Sequence, residues 1–201
     1  MRPALLVIGM VLGALALGIA RLVALPPEHA THFHANFAVF VNGQRLDLSA
    51  DRFMEDVSKC KAEPAQQDPP DRAHLHSRDH DVVHVHAPAT SWANLFTNLH
   101  MALGDEWMVL PTGEALRRMD ERSLHFVLNG VSVGGIANRT IHSKDRLLVS
   151  YGDETPEQLV ATQFAVVKSN AAEFNEKPDP ATCSGAHETT MSERLRRAFW
   201  F

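Results

Sequence analysis

Residues 31–48 read THFHANFAVFVNGQRLDL, and this stretch decides the fold that we expect. From Phe33 to Val41, every second residue is apolar, which is the period of a β-strand with one buried face. Asn42-Gly43 is the strongest short signal for a hairpin turn, so Gln44 to Leu48 is predicted to be the return strand. The domain is therefore expected to contain an antiparallel pair near its start.

Four further segments extend this pattern. Residues 124–133 (LHFVLNGVSV) predict a second hairpin, and Leu147 to Tyr151 predicts another strand. Residues 91–103 place apolar side chains at helical spacing, and Thr155 to Asn170 begins with a capping box and a proline at the first position. We therefore expect an α+β fold: a small mixed or antiparallel sheet with one or two packed helices.

The composition limits the function. The chain has 201 residues, 45% of them hydrophobic, which suffices for one domain with a real core. Its net charge of −5 provides no basic stripe, so a nucleic-acid partner is not expected. No nucleophile triad, glycine-rich phosphate loop or catalytic carboxylate pair can be identified, and no catalytic residue is assigned.

Residues 1–25 form a separate apolar segment. Pro3 to Ala20 carries no charge, and Arg21 interrupts the run near its end. It is long enough for a membrane-spanning helix, which needs about 20 apolar residues. One interpretation is a single-pass anchor in the inner (cytoplasmic) membrane with Arg2 inside; the other is a signal cleaved after Ala20. Both place the remainder of the chain outside the cytoplasm, in the periplasm.

The exported part divides into two predicted regions. Residues 30–170 form the histidine-rich α+β domain, and residues 176–201 form a tail that ends in a short basic helix with aromatic residues. Outside the cytoplasm disulfides persist, so Cys60 and Cys183 are candidates for pairing with each other. The only expected partner is the membrane, through the N-terminal helix; the sequence identifies no protein partner.

Histidine is the unusual component, with 12 residues in the chain. Three HxH pairs occur on segments predicted to be extended: His32/His34, His74/His76 and His84/His86. Residues i and i+2 of a strand point to one face, so each pair presents two imidazoles side by side. Imidazole is a ligand for copper, zinc, nickel and iron. We therefore predict a transition-metal site, copper or zinc, formed by these six residues together with His80.

Residues 74–86 (HLHSRDHDVVHVH) predict a specific hairpin register. If Leu75 and Val85 are paired on the core face, then Asp79-His80-Asp81 becomes a three-residue loop. In that register His76 is opposite His84, and His74 is opposite His86. Four imidazoles would then lie within reach of common ions.

The tandem HxH pairs, the VNG hairpin, the tryptophan-containing helix and the apolar N-terminal segment together resemble a group of uncharacterised, membrane-anchored bacterial proteins with a histidine-rich exported domain. That resemblance implies no activity. The stretch from Phe126 to Gly130, with Lys144 to Gly152, weakly resembles the closing half of ubiquitin-like β-grasp domains.

Three functions remain open from the sequence. The favoured one is a non-enzymatic metal buffer, chaperone or sensor outside the cytoplasm. A metal-dependent enzyme with an open histidine-ligated position is the second. The third is a structural or interaction domain in which the histidines are incidental. Ligand number separates the first two, because a closed four-histidine site favours binding and three histidines with an open position favour catalysis.

Overall fold

A computed structural model of the chain describes residues 3–24, 31–55, 72–177 and 191–199. The chain forms two compact units, one made of residues 1–30 and 186–201 and the other of residues 31–185. Cys60 and Cys183 lie outside the described residues, so the proposed disulfide stays a prediction.

The smaller unit contains two helices. Helix α1 spans Pro3–Ala24 and is long and apolar enough to cross a membrane. Helix α5, the last helix of the chain, spans Met191–Phe199. A short basic helix is predicted in this region. Gly18 of α1 lies directly against the ring of Phe199, leaving no room for a Cβ atom there. Arg194 donates a 3.4 Å hydrogen bond to the carbonyl of Leu22.

The larger unit is built on a seven-stranded mixed sheet in the order β3-β4-β1-β10-β8-β9, with β2 also pairing with β1. At its centre β1 and β10 run parallel, and the other neighbouring pairs are antiparallel. The strands span Phe33–Val41 (β1), Gln44–Arg45 (β2), Ala73–His76 (β3), Asp79–Val85 (β4), Ser123–Leu128 (β8), Val131–Val133 (β9) and Arg146–Gly152 (β10). The α+β class is confirmed, while the β-grasp likeness stays a prediction.

Both predicted Asn-Gly turns are present. Asn42 and Gly43 have φ of 49° and 74°, and Asn129 and Gly130 have φ of 53° and 84°, as a two-residue hairpin turn requires. The return strand of the first hairpin is only two residues long, shorter than the predicted Gln44 to Leu48.

A second, three-stranded antiparallel sheet was not predicted from the sequence. It consists of strands of two or three residues: Ala102–Leu103 (β5), Trp107–Val109 (β6) and Ala115–Arg117 (β7). Such short strands show too few periods for alternation to be recognised.

Two of the predicted helices are shorter than expected. Helix α2 spans Trp92–Asn98 and ends where His100 adopts a left-handed φ of 56°, so residues 102–103 are free to join β5. Helix α3 begins at Pro156 behind the predicted Thr155 cap but ends at Ala161. A 3-10 turn at Phe164–Val166 follows, and helix α4 spans Ala171–Asn175. The interruption lets Phe164 pack against the sheet.

The large sheet is covered on both faces, so β1 is buried on both sides rather than on the one side predicted. One face carries the main core, to which Phe37, Trp92 and Phe96 belong. The opposite face carries a smaller core of α3 and the 3-10 turn, which contact Ala38 and Phe40. Polar positions on that second face are therefore also removed from water.

Candidate metal centre

Six histidine side chains on or next to three neighbouring strands lie together on the second face of the large sheet. In the strand register, His34 on β1 is opposite His84 on β4, and His84 is opposite His74 on β3. This row runs across three strands at one level. The other three extend the row along the same face because they are two residues away on the same chain segments. The full cluster is His32, His34, His74, His76, His84 and His86.

The histidine cluster is buried. Five of its side chains are almost inaccessible, and His32 is partly buried. Burial of polar groups without partners is unfavourable by about 1–3 kcal/mol each in proteins, so imidazoles at this depth need neighbours that satisfy them. The exposed fractions are 2% for His34, 2% for His74, 6% for His76, 6% for His84 and 3% for His86.

Two pairs of ring nitrogens approach each other closely. Nε2 of His34 is 3.0 Å from Nδ1 of His84, and Nε2 of His74 is 2.9 Å from Nε2 of His76. Two nitrogens that bind one ion at about 2.0–2.1 Å, with an angle of about 90–110° between the bonds, lie roughly 2.9–3.4 Å apart. The nitrogen spacing in both pairs therefore matches that of neighbouring ligands on one ion.

Two groups of three histidines could hold a metal ion. The first is His32, His84 and His86, and the second is His74, His76 and His86; within each group the donor atoms lie within 4.8 Å of one another. His86 belongs to both groups, with ring centroids 4.9 Å from His32 and 4.8 Å from His74.

The tautomer of His34 is fixed by Asn175. The backbone N–H of His34 donates to Oδ1 of Asn175 at 2.8 Å, which identifies that atom as the amide oxygen. Nδ1 of the same imidazole is also 2.8 Å from this oxygen and must therefore donate its proton to it. In the neutral ring, Nε2 then carries the lone pair. An acceptor behind a histidine is the usual outer-shell arrangement of a metal ligand.

Helix α4 covers the cluster. The ring of Phe174 lies 5.7 Å from that of His34 and 6.3 Å from that of His84. Asn36, fully buried beside His34, donates to Oδ1 of Asn170 at 2.8 Å and accepts from the backbone of Ala171 at 2.9 Å. Both ends of this short helix are thus attached to β1 by side-chain hydrogen bonds, and Phe174 covers the imidazoles between them.

Two members of the cluster, His84 and His86, have lowered pKa values. Burial, followed by the neighbouring imidazoles of His76 and His34, holds the pKa of His84 far below its usual value. Burial together with His74 and His32 lowers the pKa of His86 to about 2. At neutral pH these two rings are therefore uncharged and can present lone pairs to a cation.

The predicted register of the β3-β4 hairpin is wrong. Ala73, not Leu75, is paired with Val85, and the turn residues are Ser77 and Arg78, with φ of 56° and 61°. The ladder shifts between His74 and His76, so an irregularity absorbs the extra residues of β4. Leu75 nevertheless stays on the core face and is fully buried. The hydrophobic constraint was met by this irregularity instead of by a three-residue loop.

His80 lies outside the cluster, contrary to its inclusion among the predicted ligands. Its Nδ1 accepts from the backbone N–H of Leu48 at 3.1 Å and lies 3.2 Å from Oδ1 of Asp47. Neither three-histidine group includes it. Three other histidines also contact groups elsewhere: His100, His125 and His142.

The carboxylate of Asp81, on the same strand as His80, forms an ion pair with Arg45.

Comparison with known proteins gave no match to a family model, to a curated protein or to a solved structure. The function must therefore be argued from the histidine cluster and its surroundings.

Sequence reasoning missed the residues that cover and orient the cluster. Asn175 lies 141 positions from His34, and Asn170 lies 134 positions from Asn36. No local pattern relates residues so far apart in the chain. One signal was available: Asn36 continues the polar face of His32 and His34 along β1.

Proposed function

We propose that this protein binds a transition metal, copper or zinc, outside the cytoplasm, where it serves as a metal buffer, chaperone or sensor held at the membrane by its N-terminal helix. The observation that supports this most strongly is the burial of five imidazoles on one sheet face. Within this face, ring nitrogens of two pairs lie only 2.9–3.0 Å apart. An ion supplies the positive charge that these nitrogens share.

The ligand type limits which metal ions the site is expected to bind. A site of imidazoles alone suits zinc and copper, whereas magnesium and calcium prefer oxygen ligands. Copper is favoured by the general order of affinities and zinc by its abundance. A buffer or chaperone is the simplest role for this cluster because helix α4 and Phe174 cover it.

A metal-binding measurement tests the proposal. The full chain, purified in detergent without a histidine tag and stripped of metal, should bind at least one Cu(II) or Zn(II) per chain by elemental analysis. The quadruple variant His74→Ala, His76→Ala, His84→Ala and His86→Ala should bind none. Full retention of metal by that variant would refute the assignment.

The chain offers a matched control for this test. Replacing His80, His100, His125 and His142 by Ala removes the same number of imidazoles, none of which belongs to the cluster. Metal content should stay at the wild-type value. If the two quadruple variants lose metal equally, the binding is a general property of histidines in the chain.

The location is tested independently. Arg2 before the apolar helix and the helix length support an orientation with residues 30–201 outside the inner membrane. Reporter fusions at the C-terminus should be active only when the reporter requires an extracytoplasmic location. Activity confined to a cytoplasm-specific reporter would overturn this part of the proposal.

A metal-dependent enzyme is the second candidate, and one observation favours it. Each three-histidine group leaves the fourth position of a tetrahedral ion to water or a substrate. Azide or cyanide added to the Cu(II) or Co(II) form distinguishes the roles. A large shift of the visible absorption would indicate an exchangeable position, and an unchanged spectrum would indicate a closed site.

A further inference from the structure

His86 differs from its neighbours in being the common member of both three-histidine groups. A neutral imidazole has one nitrogen with a lone pair and one that carries a proton. It can therefore ligate one ion. Two ions could share this ring only if both nitrogens became donors, one directed to each group.

The surroundings of His86 bear on this choice. In a site with one ion, the nitrogen of a ligating histidine that does not bind metal usually donates its proton to a carbonyl, carboxylate or water. His34 has such an acceptor in Asn175. Both ring nitrogens of His86 are buried, and neither makes a hydrogen bond to any residue that the structure describes. Among these residues, His86 therefore lacks the hydrogen-bond acceptor that is expected for a histidine that binds only one ion.

The positions of the other ligands fit two ions. His32, directly before β1, and His74 on β3 flank the ring of His86, with centroids 4.9 Å and 4.8 Å away. His84 completes the first group and His76 the second. Each group thus has two members of its own in addition to the shared ring.

We propose that the cluster holds two metal ions bridged by His86, with Nδ1 bound to one ion and Nε2 to the other. This rests on the proposed metal-binding function. As the second nitrogen–metal bond forms, the remaining N–H proton of His86 is released to solvent, and the ring becomes an imidazolate whose negative charge offsets part of the added positive charge. No oxidation or reduction is involved.

Copper titration tests the bridge. The metal-stripped full chain in detergent is titrated with Cu(II), with bound copper counted by elemental analysis and unpaired spins counted by electron paramagnetic resonance. We expect two Cu(II) per chain. The signal should grow during the first equivalent and then lose most of its intensity during the second, because an imidazolate couples the spins of two Cu(II) ions antiferromagnetically.

Three variants in the cluster and one outside it locate the bridge. His32→Ala and His76→Ala, one from each group, should each retain one Cu(II) per chain with a full, uncoupled signal. His86→Ala should bind at most one Cu(II) and show no loss of signal at any ratio. His80→Ala, outside the cluster, should keep both ions and the coupling. Circular dichroism of each variant checks that the domain is folded.

The outcomes separate this inference from the proposed function. One Cu(II) per chain in the wild type, or two with a fully additive signal, would overturn the bridge and leave metal binding intact. Coupling that survives in folded His86→Ala would also overturn it. No bound metal at all would overturn the proposed function itself.

Discussion

Residues 83–86, at the end of strand β4 and directly after it, are buried on two faces that are chemically opposite. Val83 and Val85 are fully buried in the main core, and His84 and His86, which alternate with them, are 6% and 3% exposed on the other face. On the first face, burial of apolar surface is itself favourable, at about 25 cal/mol per Å². On the second face, the same burial is unfavourable unless the imidazole nitrogens find partners.

This difference separates two reasons for a residue to be inside a protein. The valines need no specific neighbour, because the hydrophobic effect is non-directional. The histidines need particular atoms at particular distances, such as the 3.0 Å contact between His34 and His84. We therefore expect changes on the first face to alter stability, and changes on the second to alter metal binding and pH dependence.

The largest expected effect is the loss of folding stability at acid pH, which arises from the histidine face and not from the valine face. The pKa values of His84 and His86 are lowered in the folded state, so below the ordinary value of about 6.5 the unfolded chain binds more protons. The stability that is present above pH 6.5 is then lost as the pH falls, by about 1.4 kcal/mol per pH unit for each group. At pH 4.5 the metal-free protein should have lost about 5 kcal/mol from these two groups.

Urea unfolding of metal-free protein at several pH values measures this loss. The double variant His84→Leu and His86→Leu serves as the comparison, because it keeps every carboxylate and removes only these imidazoles. Its stability should depend much less on pH between 6.5 and 4.5. Equal slopes in the two proteins would contradict the assignment to these groups.

The next largest effect is expected when two neighbouring residues of β3, one on each face, are substituted and their effects on stability and metal affinity are compared. Leu75→Ala removes a fully buried side chain from the main core and should destabilise the protein by about 2–5 kcal/mol. His74→Leu changes the opposite face and removes the 2.9 Å partner of Nε2 of His76. It should destabilise the metal-free protein by about 1–3 kcal/mol, while metal affinity drops. Denaturant unfolding and metal titration of both variants provide the check. A severe loss of stability in His74→Leu would show that the imidazole is needed for packing.

Substitutions of Asn175 test whether the hydrogen-bond acceptor of His34 contributes to metal affinity. Asn175→Leu removes the acceptor that fixes the His34 tautomer, and loss of such an outer-shell partner lowers metal affinity about 10–100-fold. Asn175→Asp keeps an oxygen at this position and should bind metal at least as tightly as wild type. Competition titration with a chelator measures both. Equal weakening by the two substitutions would indicate that the amide N–H₂, which contacts Ser143 at 2.9 Å, matters more.

The smallest effect is expected at His80. It lies on β4 with His84 but contacts Leu48 and Asp47 instead of the cluster. His80→Asn should change metal affinity by less than about threefold and stability by no more than about 1 kcal/mol, the range of one hydrogen bond. A large loss of metal in the same titration would place His80 among the ligands.

The sequence predicted the elements of the site better than their assembly. Alternation within HxH pairs correctly placed His74 with His76 and His84 with His86, because the strand period is a local property. The meeting of β1 with β4 depends on a pairing about 50 residues apart in the chain, as for His34 and His84, and no local pattern encodes it. The cluster adds His32 and His34, which were among the predicted ligands, to the four histidines of the predicted hairpin square.

The errors have physical causes as well. Ser77 and Arg78 adopt left-handed backbone conformations that neither residue favours, so the turn could not be recognised from its composition. The prediction that β1 has only one buried face was wrong, because α3 and the 3-10 turn at residues 164–166 cover its second face. The sequence predicted one continuous helix in place of α3 and this turn, and its pattern did not indicate which surface the helix would pack against.

The hydrogen bond from His34 to Asn175 closes a loop of 141 residues. A nascent chain that ends before residue 175 already contains the six cluster histidines, yet it lacks the acceptor that determines which nitrogen of His34 carries the lone pair. Closing so long a loop carries an entropic cost that only the packed sheet can offset. During synthesis, therefore, the complete arrangement can exist only after the chain has been extended through α4 and has folded.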